Sequence, residues 1–389
     1  MSNMLDYIAW RGDITFEENG FNEIDGLILS QIAYIPFDGI IPGDFSGKIT
    51  LYEAARQYFA TFEGNDESKL TLQMSKINEI LKAAMESERF KNIVALDYVS
   101  KYEIENSLQF AATTWGVKRG EYIIAFRGTD DTIAGWEEDF ELCFKCPVGA
   151  QVESQKYLAA ATAALKGHFD IVGHSKGGNL AMFCSINLSS RIKQRINGIY
   201  SYDGPGFLLE VVESDGYKKI APKIHSYIPQ GSIVGMIMYS EEDYCIVHST
   251  NHGILQHIAA SWELVGKHFM PGEKLSGSSR IFGRACKKWI SEIDSEAREN
   301  FVTLLFQMLK AGKADTIGEL GANIIKAANG VLKSYIGLDK TTRKMLRNTT
   351  AQFIKLNMQS ITEDISENII NKPDDDIISK PDGDNDCVE

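Results

Sequence analysis

The residue with the most chemical promise is Ser175, in the stretch FDIVGHSKGGNLAMF (residues 169–183), where an apolar run meets glycine. Gly173, Ser175 and Gly177 spell G-x-S-x-G, the spacing that seats a serine on a sharp turn between a strand and a helix. In a chain with 33 glycines that spacing alone is a weak signal. Its surroundings carry more weight: an apolar strand signal precedes it and a small-residue helix signal follows, which puts the hydroxyl at a helix N-terminus. A serine there attacks a carbonyl once a base takes its proton, and main-chain N–H groups nearby hold the oxyanion that forms. A second segment, IIAFRGTDDTIAGWEEDF (residues 123–140), brings Arg127, Gly128 and Thr129 to the end of another strand. Thr129, facing the serine, and the N–H of Lys176 would make a two-donor oxyanion hole. The plain alternative for Thr129 is a turn residue.

The elements that must position these residues are visible in outline. SLQFAATTWGV and EYIIAFRGT, separated by KRG, read as an antiparallel hairpin. FDIVGH (169–174) and NGIYSY (197–202) are short apolar strands with a helical segment between them, the βαβ unit of a parallel sheet. KIHSYI (223–228) and DYCIVHS (243–249) supply two more strands. Ile24, Leu27, Ile28 and Ile32 recur at helical spacing, as do Leu70, Met74, Ile77, Leu81 and Ala84. After about Ser261 the pattern turns helical, with apolar faces at Phe301, Leu304, Leu305 and Met308 and again at Leu320, Ile324, Ile325, Val331 and Leu332, and Gly272, Gly277 and Gly283 loosen the junction. The acidic, proline-containing end, NKPDDDIISKPDGDNDCVE, reads as disordered.

Composition narrows the function classes. With 44% hydrophobic and 24% charged residues the chain can bury a large core, and a net charge of −13 argues against sequence-independent binding of nucleic acid. No basic segment followed by an apolar run opens the chain, and no stretch has the length of a membrane span, so a cytoplasmic location is expected. Six scattered cysteines fit reduced thiols better than a disulfide framework, and CFKC (143–146) has metal or redox spacing but no second pair and no nearby histidine.

FRGT, then GWEEDF, then IVGHSKGG resemble the class 3 lipase type of α/β-hydrolase. The longer series LDYIAWRGD, YDGPGF, IPQGSIVGM and GILQH resembles the bacterial family of Mbeg1-like proteins, over about residues 1–265. The resemblance implies a serine hydrolase architecture with Ser175 as nucleophile, Thr129 and Lys176 at the oxyanion hole, a histidine late in the domain, and Arg127 with Asp139 as a structural ion pair.

In that fold the order is serine, acid, histidine, which excludes His168 and His174 as base. His225 lies in a predicted strand. Of His248, His252, His257 and His268, His257 precedes a helix signal and matches the family's Q-H motif, with His252 next. Class 3 lipases carry their aspartate after the following strand, where this chain has Ser232. Asp203, in SYDGPGF, is the nearest suitable carboxylate and Asp243 the alternate; Asp203 as a mere turn residue, or a dyad without an acid, are the other readings.

The expectation is therefore an α/β-hydrolase domain over residues 1–265 with a mostly parallel central sheet, a helical C-terminal region over 266–370 and a disordered acidic tail over 371–389. The expected activity is cleavage of a lipid or small acyl ester by Ser175, His257 and Asp203 with Thr129 and Lys176 on the oxyanion, needing no metal or organic cofactor. The helical region would form a lid or a peripheral membrane contact. Rival readings are a binding or regulatory module that lost its acid, and an acyltransferase on the same site.

Overall fold

The computed structural model describes residues 2–61, 71–103, 108–130, 133–310, 335 and 337–370. Eight strands form one sheet in sequence order: β1 (Ile49–Thr50), β2 (Val94–Glu103), β3 (Leu108–Lys118), β4 (Glu121–Phe126), β5 (His168–His174), β6 (Ile196–Tyr202), β7 (Ile224–Pro229) and β8 (Tyr244–Val247). From β1 to β4 neighbours run antiparallel, and from β4 to β8 they run parallel. Trp115 on β3 faces Ile123 on β4 across the expected hairpin.

Among the described residues five α-helices precede the hairpin: α1 (Met4–Arg11), α2 (Glu23–Ile32), α3 (Leu51–Ala60), α4 (Leu72–Glu86) and α5 (Glu88–Lys91). Between β4 and β5 come α6 (Ile133–Glu141) and α7 (Gly149–Ala164); between β5 and β6, α8 (Lys176–Ile186) and α9 (Ser190–Lys193); between β6 and β7, α10 (Leu209–Val212) and α11 (Asp215–Lys218). The period-2 alternation of the central strands feeds two cores. Ala111, Trp115, Ile123, Ala125 and Val172 face the layer of α1 to α5, while Phe110, Ala112, Ile124, Phe126 and Ile171 face α7 and α8.

Asn22 starts α2, its Oδ1 accepting from the amides of Ile24 and Asp25 while Asp25 accepts from Asn22 N–H, a closed capping box. Ile24, Leu27, Ile28 and Ile32 are all fully buried, so α2 is a core element of the sheet's face. In α4, Ile77, Leu81 and Ala84 are buried as the stripe predicts, whereas Leu70 lies outside the described residues.

A small hairpin, β9 (Leu264–Val265) and β10 (His268–Phe269), spans the expected boundary at 265/266. Phe269 packs its ring against Tyr227 and, edge-on, against Trp262 inside the main core, so this hairpin belongs with the sheet. The helical region starts at α12 (Gly277–Glu292) and continues with α13 (Ser295–Lys310) and α14 (Lys340–Ile370). Its helices pack on one another and on α6. Gly283 does not loosen a junction: it lies inside α12, where an added Cβ would come within 3.0 Å of Met236. The expected faces at Leu320, Ile324, Ile325, Val331 and Leu332, and the expected disordered tail, lie outside the described residues. Cys143, Cys146, Cys184 and Cys286 are free thiols, whereas Cys245 is disulfide-bonded, against the reduced-thiol expectation for that residue. Among the described residues no helix is long and apolar enough to cross a membrane.

Candidate active site

Strand β5 ends at His174 and α8 begins at Lys176, leaving one residue to turn the chain. Ser175 does so at φ 58° and ψ −133°, a conformation that costs an L-residue about 1–3 kcal/mol. Two main-chain bonds hold it there: Ser175 N–H donates to Tyr202 O at 2.9 Å, and Gly178 N–H donates to Ser175 O at 2.8 Å. The turn is sharp enough that a Cβ on Gly173 would lie 2.0 Å from the carbonyl oxygen of Gly177, and one on Gly177 would lie 2.3 Å from that of Phe126. Only glycine fits at either position.

Strand β6 delivers the acid and the loop after β8 delivers the histidine. His257, at the end of a single 3-10 turn (Gly253–His257), places Nδ1 2.6 Å from Oδ2 of Asp203. Asp203 is fully buried and sits at φ 50°, directly after β6. Its other oxygen accepts from the Ser232 hydroxyl at 2.5 Å and the Gly235 amide at 3.1 Å. The serine in the column where the lipase acid was expected therefore braces a carboxylate that comes from the previous strand. Asp243 is exposed and takes no part.

The remaining histidines separate cleanly. His248 pairs with Glu263, His268 with Glu23, His225 stacks on Tyr200, and His252 is exposed. His174 is the unexpected one. Its Nε2 lies 2.9 Å from the carbonyl oxygen of His257, its Nδ1 3.1 Å from the Tyr34 hydroxyl, and its ring 4.6 Å from that of His257. A carbonyl only accepts, so Nε2 carries the proton and Nδ1 accepts from Tyr34. Burial and then the neighbouring His257 push the His174 pKa down to about 3, which keeps this ring neutral.

Opposite the elbow, the Thr129 hydroxyl donates to Asp139 Oδ2 at 2.6 Å. That hydroxyl is thereby committed, and the main-chain N–H is what Thr129 offers to a ligand. Neither this N–H nor that of Lys176, the first residue of α8, has a hydrogen-bond partner among the described residues. Both residues line the same cavity as Ser175 and His257. Burial raises the Asp139 pKa to about 6, against the pull of Lys176 and Thr129. The expected Arg127–Asp139 ion pair is not formed among the described residues: Asp139 faces Lys176 Nζ at 3.7 Å, because Lys176 projects from the elbow toward α6.

The cavity measures about 600 Å³. Its floor is formed by Tyr34, Thr129, Ser175, Lys176 and His257, and its roof is apolar: Trp136 and Phe140 of α6, Phe282 and Trp289 of α12, Phe301 of α13 and Phe353 of α14. Among the described residues no cluster of three or more His, Cys, Asp or Glu could hold a metal ion, and Cys143 of the CFKC segment lines the roof as a partly buried thiol, its pKa raised to about 12 by desolvation.

Every site residue expected from the sequence, Ser175, His257, Asp203, Thr129 and Lys176, comes to this one cavity or to its histidine. Sequence reasoning missed His174, Tyr34 and Gln256, whose Oε1 accepts from Gly231 N–H at 2.7 Å and so ties the histidine loop to the turn carrying Ser232. The Q-H pair was visible, but not what the glutamine touches.

One similar solved structure is a crystal structure of M37 lipase, with 16% sequence identity, a TM-score of 0.34, and coverage of 56% of this chain and 70% of that one. No curated protein sequence matches. The profile of the Mbeg1-like family matches residues 84–307, from within α4 into α13, so the match takes in β2 to β8, the elbow, the histidine loop and the first roof helices rather than stopping near residue 265. With its elbow and its mixed sheet the chain has the α/β-hydrolase fold, and by that match over more than half its length it belongs to the Mbeg1-like family.

Proposed function

We propose that the protein is a serine hydrolase of the lipase or esterase type, cleaving an ester with an apolar acyl group through an acyl-enzyme on Ser175. One observation carries the reading: the His257–Asp203 contact of 2.6 Å, on the wall of the cavity that also holds Ser175. With Nδ1–H donated to the buried carboxylate, Nε2 of His257 is left as the base. It takes the proton of Ser175 Oγ as Oγ bonds to the ester carbonyl carbon. The carbonyl electron pair moves onto oxygen, which the N–H groups of Thr129 and Lys176 receive. Collapse of the tetrahedral intermediate breaks the bond to the leaving alcohol, which takes the proton from Nε2. Water then repeats the sequence on the acyl-enzyme and releases the acid. Asp203 stabilises the imidazolium without being protonated itself.

A cavity of about 600 Å³ with aromatic walls suits a hydrocarbon acyl group. The rival reading, a module that lost its acid, drew its support from Ser232; the contact of that hydroxyl with Asp203 removes this support. The test is a fluorophosphonate probe, in buffer and in detergent micelles. A single adduct on Ser175 by mass spectrometry, absent in Ser175→Ala, is expected; a folded wild type that stays unlabelled in both media would sink the proposal.

A further inference from the structure

The two main-chain donors come from different segments: Thr129 follows β4, and Lys176 opens α8. Between them lie two neighbouring carboxylates on α6. Asp139 accepts from the Thr129 hydroxyl at 2.6 Å. Glu138 accepts from Lys176 Nζ at 2.8 Å and also from the amides of Gln109 at 3.2 Å and Ala150 at 2.8 Å. The side chains of Glu138 and Lys176 are 0% and 1% exposed. Neither β3, which holds Gln109, nor α7, which holds Ala150, carries a residue of the proposed reaction.

A lysine directly after the nucleophile, wholly buried, is an expensive choice. Both charges lose their hydration, and an apolar pair of the same volume commonly serves stability as well or better. What the pair adds is a fixed, directional link between the start of α8 and the segment that grips Thr129. We infer that the Lys176–Glu138 ion pair is a positioning element of the oxyanion site. Glu138 holds the Lys176 end, Asp139 holds the Thr129 end, and the fixed offset of these two adjacent positions on α6 sets the separation of the two N–H donors. The inference rests on the hydrolase reading.

Because the link acts on the donors and leaves the apolar roof untouched, cutting it weakens binding of the oxyanion and spares binding of the substrate's hydrocarbon part. The experiment compares wild type with Lys176→Met and with the double variant Lys176→Met/Glu138→Gln. The double variant removes both charges and so keeps the test open if the single one does not fold. Three quantities are read: kcat, KM for a short acyl ester, and affinity for an alkyl trifluoromethyl ketone, which adds Ser175 and presents a tetrahedral oxyanion. In the variants kcat falls by about 10²-fold and ketone affinity falls by the same factor, with KM within about threefold of wild type. A rise in KM at unchanged kcat, or ketone affinity equal to wild type, overturns the positioning role alone. A wild type that neither binds the ketone nor takes a fluorophosphonate overturns the hydrolase reading and this inference with it.

Discussion

The elbow and the roof of the same cavity are built on opposite principles. At the elbow the main chain itself makes the contact: Gly173, Gly177 and Gly178 let β5, α8 and β4 approach to distances at which any Cβ would collide, and Ser175 is held in strain. At the roof only side chains meet, as Trp289 packs against Phe301 and Phe353, and residues such as Phe140 remain partly exposed. In the proposed hydrolase the chemistry thus rests on a part with almost no freedom to vary, and the proposed acyl site on a part that tolerates exchange of similar volumes. Changes near the elbow should abolish turnover, and changes in the roof should alter which ester is turned over.

The sharpest way to break this contrast is to remove the base. His257→Ala is expected to lower kcat on a short ester by about 10⁴-fold or more, with the fold intact by circular dichroism. Asp203→Asn should cost nearly as much, about 10³–10⁴-fold, while Asp243→Asn stays at wild-type rate; the reverse pattern would move the acid to the other loop. Ser232→Ala should lower kcat by about tenfold, since Asp203 keeps the Gly235 amide but loses the hydroxyl.

A smaller effect concerns pH. A neutral, buried His174, with its pKa near 3 against about 6.5 unfolded, contributes stability that is complete above about pH 6.5 and is lost as pH falls toward about 3. Asp139, raised to about 6, acts in the opposite sense: its contribution is complete below about 3.8 and is lost as pH rises through about 6. The urea midpoint of His174→Asn should therefore depend less steeply on pH between 7.5 and 4.5 than that of wild type. An equal dependence would mean that this ring is not the one resisting protonation. At the small end, Trp289→Ala should change kcat/KM for an acetyl ester by less than about threefold while shifting the preferred acyl length. An equal loss on every chain length would mean that the roof supports the elbow and does more than shape the acyl site.

Much of this was legible in the sequence. The strands around Ser175 announce themselves because a parallel sheet buries both faces, and the runs FDIVGH and NGIYSY leave no polar face to solvate. The hairpin before β4 was legible for a local reason, the KRG turn between two β-rich runs. Less was legible where partners are far apart. His174 looked like a mere neighbour of the serine, and only folding brings Tyr34, from 140 residues earlier, and the carbonyl of His257 to its two nitrogens. The Arg127–Asp139 pair failed as an expectation because charge types in a motif do not say which cation a buried carboxylate will meet.

The sequence by itself marked out Ser175 as the candidate nucleophile, the segments of Thr129 and Lys176, and the strands β3 to β8, because glycine spacing and apolar runs act through neighbours along the chain. The tertiary structure alone decided which carboxylate serves His257, what Ser232 does, and that α6, α12, α13 and α14 close over the serine. Those are contacts between residues tens to hundreds of positions apart. Their distances depend on how whole layers pack, and local sequence carries no record of that.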